Sequence, residues 1–225
     1  MKQSAVVIVS GGLDSSGVAA YWKREGYELY LLTFDYGQRA SQEINMALEI
    51  GEKLKASSHK VLDISFMKEL YGGSNVLTDE SKEMPRNFQS NIIVPIRNAI
   101  FLTIATAYAF SLGADVVAYG AHLTDQPYPD CRPKFAKELS ASLNLGDIDA
   151  IKGGAHPEVK IWSPAIKGLS KDEMLKISYA ILGDEVYRTW SCYLNGEKQC
   201  GRCESCNNRR KAFELASIPD LTDYT

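Results

Sequence analysis

Val9-Ser10-Gly11-Gly12-Leu13-Asp14-Ser15-Ser16 is the stretch that decides the fold. It directly follows the apolar run Ala5-Val6-Val7-Ile8, so residues 4–9 read as a first strand and residues 15–25 as a helix closing near Gly26. A strand, a Ser-Gly-Gly turn and a helix start gather backbone N–H groups around a phosphate. The glycines allow backbone angles closed to other residues and let a ligand approach closely. The helix N-terminus adds unpaired donors and a partial positive charge. An ordinary turn capped by Asp14 or Ser15 uses the same residue types, but the place directly after the first strand favours the phosphate reading. The run lacks the G-x-x-x-x-G-K-[ST] of a Walker A loop and the G-x-G-x-x-G of a dinucleotide fingerprint.

Beyond the loop, strands and helices alternate. Residues 28–34 read as strand two, 38–55 as an amphipathic helix and 59–64 as strand three. A strongly apolar helix over 98–112 leads to strand four at 115–121. A helix at 134–143, a short strand at 159–162 and a helix at 170–182 follow, the last opened by the capping-box pair Ser170 and Glu173. Residues 72–97, with Gly72-Gly73, Pro85 and Pro95, look irregular, and a loop that long is usually functional or disordered. The alternation implies an α/β fold, a mostly parallel sheet with helices on both faces. Ligands then bind beyond the carboxyl ends of the strands.

The chain has 225 residues, enough for one large α/β domain with a small appendage. Its formal charge of −3 argues against non-specific nucleic-acid binding as its main task. The first strand begins within a few residues of Met1, leaving no room for a signal peptide, and no apolar stretch is long enough to span a bilayer. A cytoplasmic protein is expected.

Four of the five cysteines, Cys192, Cys200, Cys203 and Cys206, fall within fifteen residues. In a reducing compartment such a cluster is a metal site more often than a disulfide set. Four thiolates fit a closed, structural zinc site. An iron–sulfur cluster is the rival, because C-x2-C-x2-C also occurs in ferredoxin-type ligation. Zinc is preferred, since nothing else in the chain calls for redox chemistry. We divide the chain into an α/β domain, 1–185, and a zinc-binding segment, 186–225, packed on it.

Strand one ends at the Ser-Gly-Gly loop, and strand two at Asp35-Tyr36-Gly37-Gln38. Strand four ends at Tyr119-Gly120-Ala121-His122, followed by Asp125 and Tyr128-Pro129-Asp130-Cys131-Arg132. All three should open on one edge. The S-G-G-x-D-S loop resembles the pyrophosphate loop of ATP pyrophosphatases, which activate a substrate oxygen by adenylation. Phe34-Asp35-Tyr36-Gly37-Gln38, Val94-Pro95-Ile96-Arg97-Asn98, Tyr128-Pro129-Asp130-Cys131-Arg132-Pro133 and Cys200-Gly201-x-Cys203-x-x-Cys206 stand in the order seen in the 7-cyano-7-deazaguanine synthase family. Two departures are present. Ile96 occupies a position where that family often has glycine, and Gln126-Pro127 varies the stretch before Tyr-Pro-Asp.

The resemblance implies a Rossmann-like (adenine nucleotide alpha hydrolase-like) fold and a carbon–nitrogen ligase. Such an enzyme turns 7-carboxy-7-deazaguanine and ammonia into a nitrile with two ATP and Mg²⁺, a precursor step for queuosine or archaeosine in tRNA. On that basis Val9, Ser10, Gly11, Gly12, Leu13, Asp14, Ser15, Ser16, Gly17, Val18, Ala19, Asp35, Tyr36 and Gln38 are expected at the nucleotide. Arg97, Asn98, Asp125, Tyr128 and Asp130 are expected at the base. Lys171, in Pro164-x4-Leu169-x-Lys171-x-Glu173, resembles the lysine of pyrophosphate-loop enzymes and is the candidate for phosphate charge, with Arg97 and Asp125 as its catalytic companions. Partners are small molecules, with no direct nucleic acid and no membrane, and the resemblance implies a homodimer. Two other readings stay open. One is a tRNA thiolase with a redox cysteine pair. The other is a zinc knuckle gripping RNA through Arg202, Arg209, Arg210 and Lys211, residues that otherwise flank the metal on a solvated helix.

Overall fold

Along the first strand, Ala5, Val7 and Val9 enter one apolar layer and Val6 and Ile8 enter another. This two-residue period is how a strand buried on both faces distributes its side chains. The computed structural model describes residues 3–71, 75–77, 79 and 81–225. Its strands are β1 (Ser4–Ile8), β2 (Glu28–Asp35), β3 (Ser58–Asp63), β4 (Val116–Ala118) and β5 (Lys160–Trp162). All pairings are parallel, in the order β3-β2-β1-β4-β5. The helices are α1 (Leu13–Arg24), α2 (Gln42–Lys53), α3 (Met67–Tyr71), α4 (Arg97–Leu112), α5 (Pro133–Gly146), α6 (Ile148–Lys152), α7 (Lys171–Leu182) and α8 (Glu204–Ala216).

One layer is built from α1, α2, α7 and α8, with Val18, Ile50, Leu175 and Phe213 at its centre. The other is built chiefly from α4 and α5, with Leu102, Ala105 and Ala136 buried in it. Because α8 contributes Ala212, Phe213 and Ala216 to the first layer, the C-terminal segment shares the main core. The strand order reverses direction on either side of β1, and the crevice beyond β1 and β4 is therefore where a ligand fits.

Local chemistry explains most departures from the sequence reading. The second helix begins at Gln42 and not at residue 38. The Gln38 side chain turns back instead: its Oε1 accepts the Tyr36 N–H at 2.9 Å and its Nε2 donates to the Phe34 carbonyl at 3.3 Å. Ile96 caps α4 at φ 50°, in the left-handed region, which is why glycine suits that position and a β-branched residue is strained there. The capping box of α7 is present, with the Ser170 N–H donating to Glu173 at 2.8 Å. Of the irregular 72–97 stretch, residues 72–74, 78 and 80, Gly72-Gly73 included, lie outside the described residues. Its described parts hold a small apolar cluster of Val76, Leu77, Ile92 and Val94. The Arg39 guanidinium ties it down by donating to the carbonyls of Val76, Asp79 and Lys82 at 3.3, 3.3 and 2.9 Å. Among the described residues no helix is long and apolar enough to cross a membrane.

Candidate active site and cysteine cluster

The loop after β1 is shaped by its two glycines in different ways. Gly11 stands at φ +84°, and a Cβ there would lie 2.0 Å from the Glu43 carbonyl oxygen. The turn is thus pressed against the first turn of α2. Gly12 is the N-cap of α1, with extended backbone and no side-chain cap. The first N–H groups of α1 accordingly face the cleft, free of the carboxylate or hydroxyl that usually caps a helix. Ser15 serves the loop itself: its hydroxyl accepts the Ser10 N–H at 3.0 Å and contacts the Gly12 carbonyl at 3.3 Å. Gly120, after β4, packs so tightly that a Cβ would lie 3.1 Å from the Ser15 nitrogen.

A cleft of about 290 Å³ opens at this edge. Of the residues expected at the nucleotide, Ser10, Gly12, Leu13, Asp14, Ser15, Tyr36 and Gln38 line it. Val9, Gly11, Ser16, Gly17, Val18 and Ala19 do not; they are buried behind it. Gly17 faces Met174 of α7, and the Val9 carbonyl accepts the Thr33 hydroxyl at 2.6 Å, so these positions support the loop. Asp35 also stays off the cleft wall, its Oδ1 accepting the Gly37 N–H at 3.0 Å.

One charged cluster spans the loop. Lys171 Nζ lies 2.8 Å from Asp14 Oδ2, although a cation in the first turn of α7 opposes that helix's dipole. His122 Nε2 lies 3.5 Å from Asp14 Oδ1, and its Nδ1 lies 3.3 Å from Asp125 Oδ2. Burial, opposed only by the Asp14 charge, pushes His122 down to about 4, so it is a neutral imidazole at neutral pH. Burial and the nearby Asp14 push the Asp125 carboxyl up to about 7. Burial acts to raise Asp14 as well, but Lys171 and His122 outweigh it and hold this carboxyl below its usual range. Asp14 Oδ1 is buried and accepts no hydrogen bond.

The opposite wall carries Arg97, Asn98, Phe101, Tyr128 and Cys131. Arg97 donates to the Tyr36 hydroxyl at 3.0 Å. Asp130, expected at the base, does not line the cleft. Its Oδ2 accepts the Asn98 N–H at 3.2 Å, so it fixes the first turn of α4 from behind. Burial pushes the Cys131 thiol well above its ordinary value, which keeps it protonated and unsuited to nucleophilic work. Glu43, Tyr193 and Glu204 also line the cleft, and sequence reasoning did not single them out. The one signal for Glu43 was its place five residues after Gln38, where the first turn of α2 meets the loop.

The four clustered cysteines bring their Sγ atoms within 4.8 Å of one another. Sulfurs around a tetrahedral zinc with Zn–S bonds of about 2.3 Å would stand about 3.8 Å apart, and Cys200 and Cys206 are at 4.0 Å. Cys192 Sγ accepts the N–H groups of Leu194 and Cys200 at 3.4 Å, and Cys200 Sγ accepts that of Cys203 at 3.4 Å. Such donors stabilise thiolates, and the set is compatible with a zinc ion. The segment reaches the loop directly, because the Trp190 N–H donates to the Gly11 carbonyl at 2.8 Å and Ser191, Cys192 and Tyr193 line the cleft. Arg209, read from sequence as a solvated or RNA-facing side chain, is fully buried. Its guanidinium donates to Thr222 and Thr189 hydroxyls at 2.9 and 2.7 Å, and to the Val186 carbonyl at 2.9 Å.

With this geometry in hand, the comparisons are specific. Residues 4–217 match the family model described as queuosine biosynthesis protein QueC. The chain is similar to the 7-cyano-7-deazaguanine synthase of Psychromonas ingrahamii, at 40% identity over 230 residues, covering 100% of this chain and 99% of that one. It is similar to the synthase of Caldicellulosiruptor saccharolyticus at 39% identity, covering 98% of this chain and 95% of that one. To that of Thermoplasma acidophilum it is 37% identical, covering 99% and 92%. Matches of this length and identity leave one conclusion: the chain belongs to the queuosine biosynthesis protein QueC family, that of the 7-cyano-7-deazaguanine synthases.

Proposed function

We propose that the chain converts 7-carboxy-7-deazaguanine and ammonia into 7-cyano-7-deazaguanine, consuming two ATP. The observation that carries this reading is a single cleft holding an uncapped helix start with a Lys171–Asp14 pair and, across from it, Arg97. A carboxylate is a poor electrophile, so one of its oxygens must first join a good leaving group. Attack on the α-phosphorus of ATP gives an acyl adenylate and pyrophosphate, and ammonia then displaces AMP to give the amide. A second ATP activates the amide oxygen, and AMP leaves as the nitrile forms.

Each set of residues has a task in this scheme. The N–H groups at the start of α1 hold the pyrophosphate, and Lys171 draws the charge that builds on the phosphoryl oxygens. The planar fork of Arg97 pairs with the substrate carboxylate. Asp125 and Tyr128 meet the polar edge and face of the base, and Asn98 completes that wall. Asp14, whose Oδ1 accepts no hydrogen bond among the described residues, would be the group to hold Mg²⁺, which would supply further charge neutralisation at the phosphates. Cys192, Cys200, Cys203 and Cys206 hold one structural zinc, which fixes residues 186–225 against the α/β domain of 1–185.

Incubation with 7-carboxy-7-deazaguanine, ATP, Mg²⁺ and ammonium tests the proposal. Mass spectrometry should show the nitrile, and chromatography should show two AMP and two pyrophosphate per nitrile. ADP and phosphate as the sole nucleotide products would overturn the adenylation scheme.

A further inference from the structure

The nitrogen of ammonia enters the proposed reaction with three hydrogens and leaves in the nitrile with none. When ammonia attacks the acyl adenylate, the C–N bond forms, the C–O bond to AMP breaks with its electron pair, and one proton leaves the nitrogen. In the second half the amide oxygen attacks the α-phosphorus of ATP and pyrophosphate departs. The C–O bond then breaks, AMP takes the oxygen and the electron pair, and the remaining two protons are lost as C≡N forms. A positioned group with a pKa near the working pH is the efficient acceptor for such protons.

Most titratable groups of the cleft are committed elsewhere. Asp14 is paired with Lys171, and His122 is a weak base held between two aspartates. Asp125 is engaged at the polar edge of the base in the proposed scheme, and its Oδ2 already accepts the His122 main-chain N–H at 3.0 Å. Glu43 stands beside Arg97, on the side proposed for the substrate carboxylate. Its main chain is pressed onto Gly11, which fixes its position relative to the phosphate loop. Its carboxylate receives one hydrogen bond, from Gln38 Nε2 to Oε1 at 3.1 Å, and among the described residues Oε2 receives none. We infer that Glu43 is the acceptor for the protons leaving the nitrogen, an inference that rests on the synthase reading. The groups facing it are Arg97 of α4, Asp35 at the end of β2 and the Tyr36 hydroxyl, which accepts from Arg97 at 3.0 Å. Burial outweighs the attraction of Arg97 and pushes the Glu43 carboxyl up to about 7.

The test compares wild type, Glu43→Gln and Glu43→Asp in two assays: nitrile formation across pH 5.5–8.5 with the free ammonia concentration held constant, and pyrophosphate–ATP exchange with the acid substrate but no ammonia. Glu43→Gln should slow nitrile formation by about 10²–10⁴-fold and lose the rise in rate through neutral pH. Exchange should stay at the wild-type rate. Glu43→Asp should keep a pH-dependent residual rate. Nitrile formation by Glu43→Gln at the wild-type rate and with the wild-type pH profile would overturn the inference. So would an equal loss of exchange, because Glu43 would then serve the phosphate loop. A wild-type protein that exchanges pyrophosphate yet makes no nitrile strikes the synthase reading itself, and the inference with it.

Discussion

Gly11 and Gly12 are adjacent and chemically identical, yet substitution should damage the protein in opposite ways. A side chain at Gly11 meets two penalties. Its φ of +84° is left-handed, costing an L-residue about 1–2 kcal/mol. Its Cβ would also fall 2.0 Å from the Glu43 carbonyl oxygen and 2.8 Å from the Ala47 nitrogen. Both are main-chain atoms of α2, so relief requires the helix to move, and overpacking of this kind costs about 1–3 kcal/mol. Gly11→Ala should therefore lose about 2–5 kcal/mol, a fall in Tm of about 4–20 °C for a chain of this size. Gly12 has φ −77° and ψ 165°, comfortable for a β-branched residue. Its Cβ would sit 3.4 Å from Ser10 Oγ and the Trp190 carbonyl oxygen, an ordinary contact. Gly12→Val should keep its stability within about 1 kcal/mol while its methyl groups fill the space proposed for phosphate. Circular-dichroism melting paired with pyrophosphate–ATP exchange separates the two effects. A Gly11→Ala protein melting with wild type, or a well-folded Gly12→Val protein with undiminished nitrile formation, would refute the reasoning.

Other predictions follow from single residues. Cys203→Ser should lose zinc and melt earlier; metal analysis finding no zinc in the wild type, or a variant that keeps both zinc and Tm, contradicts the site. Ile96→Gly relieves a left-handed, largely exposed β-branched residue and should raise stability by about 1 kcal/mol, seen as a small increase in Tm. The raised Asp125 carboxyl retains in the fold a proton that the unfolded chain releases near 3.8. The stability it contributes is therefore present at low pH and lost as pH rises towards about 7. Asp125→Asn removes that loss, so between pH 4.5 and 6.5 its unfolding free energy should gain on wild type by up to about 1.4 kcal/mol per pH unit. Urea titrations at several pH values with parallel trends for both proteins would exclude it.

How much of this was legible in the sequence depends on the range over which each feature is specified. The five strands of the described residues are all legible in the sequence, since a short run of strand-forming residues bounded by turn residues is local information. The capping box of α7 and the four-cysteine cluster were likewise local. Helix edges were less so: the start of α2 depended on Gln38 folding back onto Phe34 and Tyr36, a choice that periodicity does not record. Helix α8 reads in the sequence only as a solvated helix flanking the metal, because its charged residues obscure the buried stripe of Ala212, Phe213 and Ala216. Arg209 was misread for a related reason. Its surrounding oxygens come from Val186, Thr189 and Thr222, which only the tertiary fold brings together. In the site, motif matching located the loop and both walls. It could not distinguish residues that line the cleft from those that brace it, such as Gly17, Asp35 and Asp130.

The placement of Arg209 shows why the C-terminal segment is tied to the site and is more than an appendage. A fully buried guanidinium that pairs with no carboxylate among the described residues is tolerated only when its donors are satisfied. Here the acceptors are mainly oxygens of residues 186–191, so the same bonds that neutralise the cost also fix that stretch of chain. Trp190 stands within it and donates to Gly11, while Ser191 and Cys192 form the adjoining cleft wall. The cysteine cluster holds this stretch from one side and Arg209 from the other. The Gly11 turn is in consequence gripped between the first turn of α2 and the 186–191 strap. Disturbance of the cysteine cluster should reach the Ser10–Ser16 loop through Trp190, with no change in any side chain of that loop.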